Sequence, residues 1–161
     1  MSDAKRLIDV EDLYRLAAAE DPRLSPDGRW IAFVKMTRDK LKNTTRRAIW
    51  LVRPDGSGLR QFTGGDKQDH TPRWSPDGSR LAFVSTRNDK PQIYVIPVDG
   101  GEAQAITAAR NGAVSPAWSP DGTQLAYLSP VRADEIAAED AGEEPPPADK
   151  WEADQREARR K

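Results

Sequence analysis

A chain of 161 residues has the length of one ordinary domain, and 37% hydrophobic against 32% charged residues leaves much of it solvated. A formal net charge of −1 argues against a nucleic-acid-binding surface, which needs a basic excess. The lack of cysteine excludes disulfides, thiolate catalysis and cysteine-ligated zinc.

In chain order, Met1–Val10 mixes Asp3, Lys5, Arg6 and Asp9 with its apolar residues, so no continuous apolar signal core is visible. No run approaches the roughly 20 apolar residues that span a bilayer. The expectation is a cytoplasmic protein with neither nucleic acid nor membrane as partner. The first predicted element is a helix over Val10–Ala19, because Val10, Leu13, Tyr14 and Ala17 share one face. Asp9 serves as its N-cap and Pro22 closes the segment.

From there the chain repeats itself. The word Ser-Pro-Asp-Gly stands at Ser25–Gly28, Ser75–Gly78 and Ser119–Gly122, at spacings in the range of propeller blades. Proline has the φ a turn requires at its second position, Ser and Asp bond nearby backbone, and Gly accepts positive φ. Each copy is followed by an apolar run: Ile31-Ala32-Phe33-Val34, Leu81-Ala82-Phe83-Val84 and Leu125-Ala126-Tyr127-Leu128. Trp74 and Trp118 precede the second and third copies. A strand therefore ends near each Trp and another starts beyond each Gly. Apolar residues on both parities predict a strand covered on both faces, with Ala32, Ala82 and Ala126 where neighbouring sheets approach closely.

A second hairpin follows the first two copies. Ile49–Val52, the turn Pro54-Asp55-Gly56 and Leu59–Thr63 form one; Ile93–Ile96, Asp99-Gly100-Gly101 and Ala103–Thr107 form its counterpart. Four short antiparallel strands make one propeller blade. The third unit holds only its first hairpin, Ala117–Leu128. Such an array leaves Trp30, Ile31, Phe33 and Trp50 without a neighbouring blade at one end, and Leu125, Tyr127 and Leu128 on an open edge at the other. From Val131 onward the repeat stops. Ala137–Pro147 is acidic and proline-bearing, and Lys150–Lys161 is rich in helix formers.

These blades resemble the repeats shared by the periplasmic TolB protein and the propellers of the prolyl oligopeptidase family, over about residues 9 to 130. The short entry helix, Ser85–Lys90 leading into Gln92–Val95, the Asp99–Ala103 turn ending in Ile106-Thr107, and the break after the third Trp-Ser-Pro-Asp-Gly are similar to the acylaminoacyl-peptidase-like branch. The expected fold is all-β, a partial β-propeller of about two and a half four-stranded TolB-like blades. Residues 1–22 are an N-terminal segment with a short helix, 23–130 the incomplete propeller, and 131–161 a charged, largely solvated tail.

In that family an α/β-hydrolase domain supplies a serine on a Gly-x-Ser-x-Gly elbow, with an aspartate and a histidine. This chain has no such elbow, and Gly56-Ser57-Gly58 is a turn between strands. No residue is expected to be catalytic, cofactor-binding or metal-binding. Asp27, Asp77 and Asp121 are repeated turn residues, and His70, the one histidine, lies in a blade connection. Glu143-Glu144 differs in setting from the glutamate pair with which dipeptidyl-peptidase relatives bind a substrate's amino terminus. Arg46-Arg47 and Arg159-Arg160-Lys161 read as solvated surface, and Asn43-Thr44-Thr45 as a coincidental glycosylation tripeptide. The resemblance implies the propeller portion of a serine peptidase. There it gates access of short peptides to a hydrolase domain, its partner, that this chain does not contain. The alternative is a non-enzymatic TolB-like binding or scaffold module.

Overall fold

The computed structural model describes residues 7–64 and 67–143. Among the described residues, ten strands form two four-stranded antiparallel sheets and one hairpin. Blade 1 is β1 (Ala17–Leu24), β2 (Ile31–Asp39), β3 (Thr44–Val52) and β4 (Arg60–Gln61). Blade 2 is β5 (Asp69–Trp74), β6 (Arg80–Ser85), β7 (Gln92–Pro97) and β8 (Gln104–Ala105). The third unit is β9 (Val114–Trp118) with β10 (Leu125–Leu128), and helix α1 (Ala133–Asp140) follows it. The first strand of each unit lies against the first strand of the next.

The Ser-Pro-Asp-Gly turns share one wiring. In the second, Ser75 Oγ–H donates to Asp77 Oδ1 at 2.6 Å, and the Arg80 N–H donates back to Ser75 Oγ at 2.9 Å. The Ser79 N–H donates to Asp77 Oδ1 at 3.1 Å, and the Gly78 N–H closes the turn on the Ser75 carbonyl at 2.8 Å. The same bonds recur in the first and third copies. Gly28, Gly78 and Gly122 have φ of 70°, 72° and 69°, the left-handed region that glycine enters without strain. Successive turns stack. A Cβ on Gly78 would stand 3.6 Å from the Pro26 ring, and one on Gly122 would stand 3.3 Å from the Pro76 ring.

The core lies between blades. Ala32, Ile49 and Leu51 of blade 1 pack on Leu81, Phe83, Tyr94 and Ile96 of blade 2. Ala82, Val84 and Ile93, from the opposite face of blade 2, pack with Ala113, Val114, Trp118 and Leu125. The alternating parity along β6 sends successive side chains to different neighbours, so that Leu81–Val84 are all fully buried. Side chains stitch the same seams. Trp74 Nε1–H donates to the Arg23 carbonyl at 2.9 Å and Trp118 Nε1–H to the Arg73 carbonyl at 3.1 Å. Within blades, Thr63 Oγ1 accepts from the Ile49 N–H and Thr107 Oγ1 from the Ile93 N–H, at 3.0 and 2.9 Å.

Three expectations need correction. The helix over Val10–Ala19 reduces to a 3₁₀ turn, Val10–Tyr14, with Asp9 at its start. Residues from Ala17 onward form β1 instead, so the boundary expected at residue 22 falls inside a strand. A short, partly apolar helix gains little alone, whereas Ala17–Glu20 gain a ladder against Val34–Thr37 on β2. Pro22 does not end a helix; it sits in a β-bulge, where a missing N–H costs no ladder bond. Asp21-Pro22 oppose Phe33, Thr71-Pro72 oppose Phe83, and Ser115-Pro116 oppose Tyr127. The residue before each proline has positive φ: 48°, 57° and 55°.

Trp30 is the second correction, because it packs into the seam with blade 2 rather than on the open face. The third is α1 itself, a helix not expected at this place in the tail; most of its residues are exposed, while Glu135 is buried and accepts from Asn111 Nδ2 at 2.7 Å. The helix formers of Lys150–Lys161 lie outside the described residues.

Two stability tests follow from the turns. Gly78→Val forces a β-branched residue to φ near 72° and is expected to cost about 1–2 kcal/mol, seen as a lower urea midpoint. An unchanged midpoint contradicts the turn geometry. The second test is pH. The Ser25 hydroxyl, then the Arg29 N–H, hold the Asp27 carboxyl below its ordinary value, and the Ser75 and Ser79 hydroxyls do so for Asp77. The Ser119 hydroxyl, with the Thr123 N–H and hydroxyl, lowers Asp121 from 3.8 to about 2. A carboxyl depressed by folding stabilises the fold above its unfolded value and loses that contribution as pH falls through the folded one. The urea midpoint should therefore start to fall below pH 3.8 and go on falling through about 2, and Asp121→Asn should flatten part of that limb.

Candidate functional site

The bulges of β1 and β5 open a cleft of about 420 Å³ between blades 1 and 2, lined by Glu20, Asp21, Arg47, His70 and Thr71, with Gln68 and Thr86. Its walls come from an asymmetry in the repeat. β2 and β3 are nine residues each, whereas β6 and β7 are six, so the first blade's central hairpin overshoots. The overshoot carries Arg47 to the entry of blade 2. Arg47 Nε–H donates to Glu20 Oε2 at 3.2 Å and Nη1–H to Gln68 Oε1 at 3.4 Å, while Gln68 Nε2–H donates to the Thr45 carbonyl. Arg47 is thus a structured wall of the cleft rather than solvated surface. Arg46, its neighbour, turns to Asp39 at 2.5 Å.

Asp21 joins the blades from the other side, accepting from Arg73 Nη1 at 2.8 Å and pairing with Arg23 Nη2 at 2.6 Å. His70 Nδ1 lies 2.8 Å from Thr71 Oγ1. Burial, reinforced by the Arg47 charge, holds the imidazole below its ordinary 6.5, with Asp69, Asp21 and Glu20 opposing. A neutral imidazole, two hydroxyls and a paired carboxylate can bond an extended polar backbone. The cleft is therefore suited to contact, with no hydroxyl held by an imidazole–carboxylate pair on the pattern of a triad.

Beside the cleft Asp69 is 1% exposed and accepts from Arg87 Nη2 at 3.2 Å. The Arg87 guanidinium also stands 5.4 Å from the Phe83 ring and 5.1 Å from the Tyr94 ring, which stack on each other. This pairing explains the Ser85–Lys90 word at the end of β6: the arginine neutralises a buried carboxylate over two core rings.

The remaining candidates are separated. Asp27, Asp77 and Asp121 lie in the turns at the strand ends away from the Asp39–Thr44 hairpin. Asn43 sits at that hairpin with φ of 46°. Glu143 lines a second cleft of about 340 Å³ with Arg110, Asn111 and Glu139. Glu144 and Arg159-Arg160-Lys161 lie outside the described residues. Among the described residues, no three His, Asp or Glu side chains stand close enough to hold a metal ion.

Reading along the chain singled out His70 but missed Glu20, Asp21, Arg47, Gln68, Thr71 and Thr86. Pro22, Pro72 and Pro116 were the available signal, since each stands three residues before a Ser-Pro-Asp-Gly and marks the bulge at the cleft's edge.

Arg87→Ala strands the Asp69 carboxylate in the core and is expected to cost about 3 kcal/mol of unfolding free energy. Adding Asp69→Asn should recover part of that loss. Equal urea midpoints for Arg87→Ala and the parent chain would remove the pair from any account of the core.

Residues 14–144 match the TolB β-propeller domain. The chain is 38% identical over 101 residues to the uncharacterized peptidase YuxL of Bacillus subtilis, covering 62% of this chain and 15% of that one. Its fold superposes on Pyrococcus horikoshii acylaminoacyl peptidase with a TM-score of 0.60 and 25% identity, over 73% of this chain and 18% of the other. For the putative TolB of Agrobacterium tumefaciens the TM-score is 0.56 with 26% identity, over 71% and 38%. The chain thus spans about 15% of the length of YuxL and 11% of a second curated relative, the dipeptidyl-peptidase 5 of Porphyromonas gingivalis. The matched segment carries all three turns, both four-stranded blades and the hairpin of the third, and the chain belongs to the TolB β-propeller domain family.

Proposed function

We propose that this chain is the propeller portion of a serine peptidase of the prolyl oligopeptidase type, gating short peptides toward a hydrolase domain on other sequence. The observation that carries this reading is the 38% identity to a peptidase over 101 residues. The physical logic is geometric. Inner strands packed side by side leave a narrow polar cleft, which an extended peptide can line and a folded protein cannot enter. Catalysis then owes its selectivity to access rather than to a base or nucleophile in these blades. The chain supplies no Gly-x-Ser-x-Gly elbow, and His70 is held by its own strand, so no catalytic, cofactor or metal residue is assigned here. The partners in this reading are the hydrolase domain and short peptides, with no role for nucleic acid or membrane, and the compartment is cytoplasmic. Among the described residues no helix is long and apolar enough to cross a membrane.

A TolB-like binding module is the second reading, favoured by the likeness to the putative Agrobacterium TolB. Two measurements separate them. The purified chain alone should leave chromogenic aminoacyl and acylaminoacyl substrates intact; phosphonate-sensitive turnover would sink the proposal. A chimera carrying this chain in place of the matched segment of YuxL should cleave short peptides and spare folded proteins. A chimera that folds yet cleaves neither short peptides nor folded proteins favours the binding module.

A further inference from the structure

We propose that a cluster of Trp30, Arg53 and Arg60, at the end of the strands opposite the His70 cleft, docks a short acidic segment of a protein partner. The Arg53 guanidinium stands 5.3 Å from the centre of the Trp30 ring and that of Arg60 5.4 Å from it, with Arg60 also 5.6 Å from the Phe62 ring. The indole is fixed from two sides. It packs into the seam between blades 1 and 2, and the turn after β3 folds onto its edge, where a Cβ on Gly58 would stand 3.2 Å from it. Arg60 is opposite Leu51, which is buried in that seam, so the cluster lies at the rim between two complete four-stranded blades. Beside it Arg29, Trp30, Arg53, Pro54 and Asp55 line a cleft of about 560 Å³. Among the described residues the arrangement occurs in blade 1 alone. In blade 2 the equivalent positions hold Arg80, Pro97 and Gln104, and Arg80 is tied to the next unit through the Gly122 carbonyl at 2.9 Å.

Arg53 and Arg60 are both exposed, and among the described residues neither guanidinium forms a salt bridge or a hydrogen bond. The nearby carboxylates are engaged in their own turns: Asp55 accepts from the Ser57 N–H at 2.8 Å and Asp27 from the Ser25 hydroxyl at 2.6 Å. A guanidinium beside a ring keeps its N–H fork available for a carboxylate, and its stem loses little freedom on pairing because the ring already holds it. The indole, the Phe62 ring and the exposed Leu59 add apolar surface around the charges. That mixture selects the occupant. A single inorganic oxyanion uses the arginines but not the apolar surface. A membrane or a nucleic acid is an extended polyanion, which Asp27 and Asp55 at the same strand ends repel. A peptide segment with a few carboxylates and an apolar side chain uses both, and Trp and Arg are the anchor types that dominate such interfaces. The cluster lies away from the His70 cleft, so peptide gating there and docking here are separate functions.

The test is fluorescence anisotropy of a short labelled peptide of alternating glutamate and leucine, titrated with the full chain, with circular dichroism confirming the fold of each variant. The peptide should bind, and binding should weaken as salt is added. Arg53→Gln and Arg60→Gln should each raise its Kd about ten-fold. Arg60→Lys should recover little of that loss, because an ammonium offers no planar fork and stacks poorly on a ring. Arg38→Gln removes the same charge from an exposed position at the far end of β2 and should leave the Kd unchanged. The same peptide with glutamine in place of glutamate should not bind. A glutamate peptide that does not bind, a Kd that Arg38→Gln raises as much as Arg53→Gln, or a glutamine peptide that binds equally overturns the proposal. So does displacement of the peptide, at matched ionic strength, by inorganic phosphate or by phosphatidylserine vesicles, since either makes the cluster a general anion site.

Discussion

A sheet that is apolar on both faces must be covered on both faces, and every other feature of this chain serves that requirement. β6 shows it most fully. Leu81 and Phe83 leave water on one side, Ala82 and Val84 on the other, and all four are fully buried. At roughly 1.5–3 kcal/mol for each large side chain, such burial dominates what holds the blades together. Cover on two sides needs neighbours at a constant offset. The indole bonds to Arg23 and Arg73 set that offset at one end of the first strands, and the stacking of each turn glycine on the preceding turn's proline sets it nearby. The repeated word is thus a spacer between sheets as well as a turn within one.

Seen in this way, the parts of the fold legible in the sequence are those where local chemistry and packing agree. The turns, the apolar runs and the closing threonines each have a residue type that only one arrangement satisfies, and each occurs more than once. β1 was illegible for the opposite reason. Ala17-Ala18-Ala19-Glu20 is built of good helix formers, and Val10, Leu13 and Tyr14 extend a helical stripe into it, so local preference points away from the structure. The free edge of β2 decides the outcome, because its unpaired backbone groups gain partners from Ala17–Glu20. Beside the residues before it, Pro22 has the local chemistry of a helix ending. Compared instead with Pro72 and Pro116, it marks the same bulge for the third time.

The cleft was less legible still. Glu20, Arg47 and Gln68 are far apart in sequence, and nothing about a basic pair at 46–47 distinguishes solvated surface from a wall. The deciding fact is the length of the β2–β3 hairpin, three residues longer per strand than its counterpart in blade 2. That extra length appears in the sequence only as a wider spacing between the first two Ser-Pro-Asp-Gly words. It becomes meaningful once the register shows that all the surplus falls in a single hairpin.

Perturbed carboxylates often mark functional sites, but here the strongest shifts belong to turn residues, Asp77 and Asp121. Their cause is a hydroxyl and an N–H from their own turn, repeated in each copy, which is what a structural demand common to all blades produces. Function in a repeat protein should lie where equivalent positions differ. The residue just before each bulge is Glu20 in blade 1, His70 in blade 2 and Val114 in the third unit, all on first strands and all opposite an aliphatic residue of the next strand. Glu20 and His70 at this position line the cleft, whereas Val114 packs into the seam with Ala82 and Val84, so one backbone position serves contact in two units and core packing in the third. The broken symmetry of that position, rather than any repeated turn residue, is where these blades differ most in chemistry along their first strands.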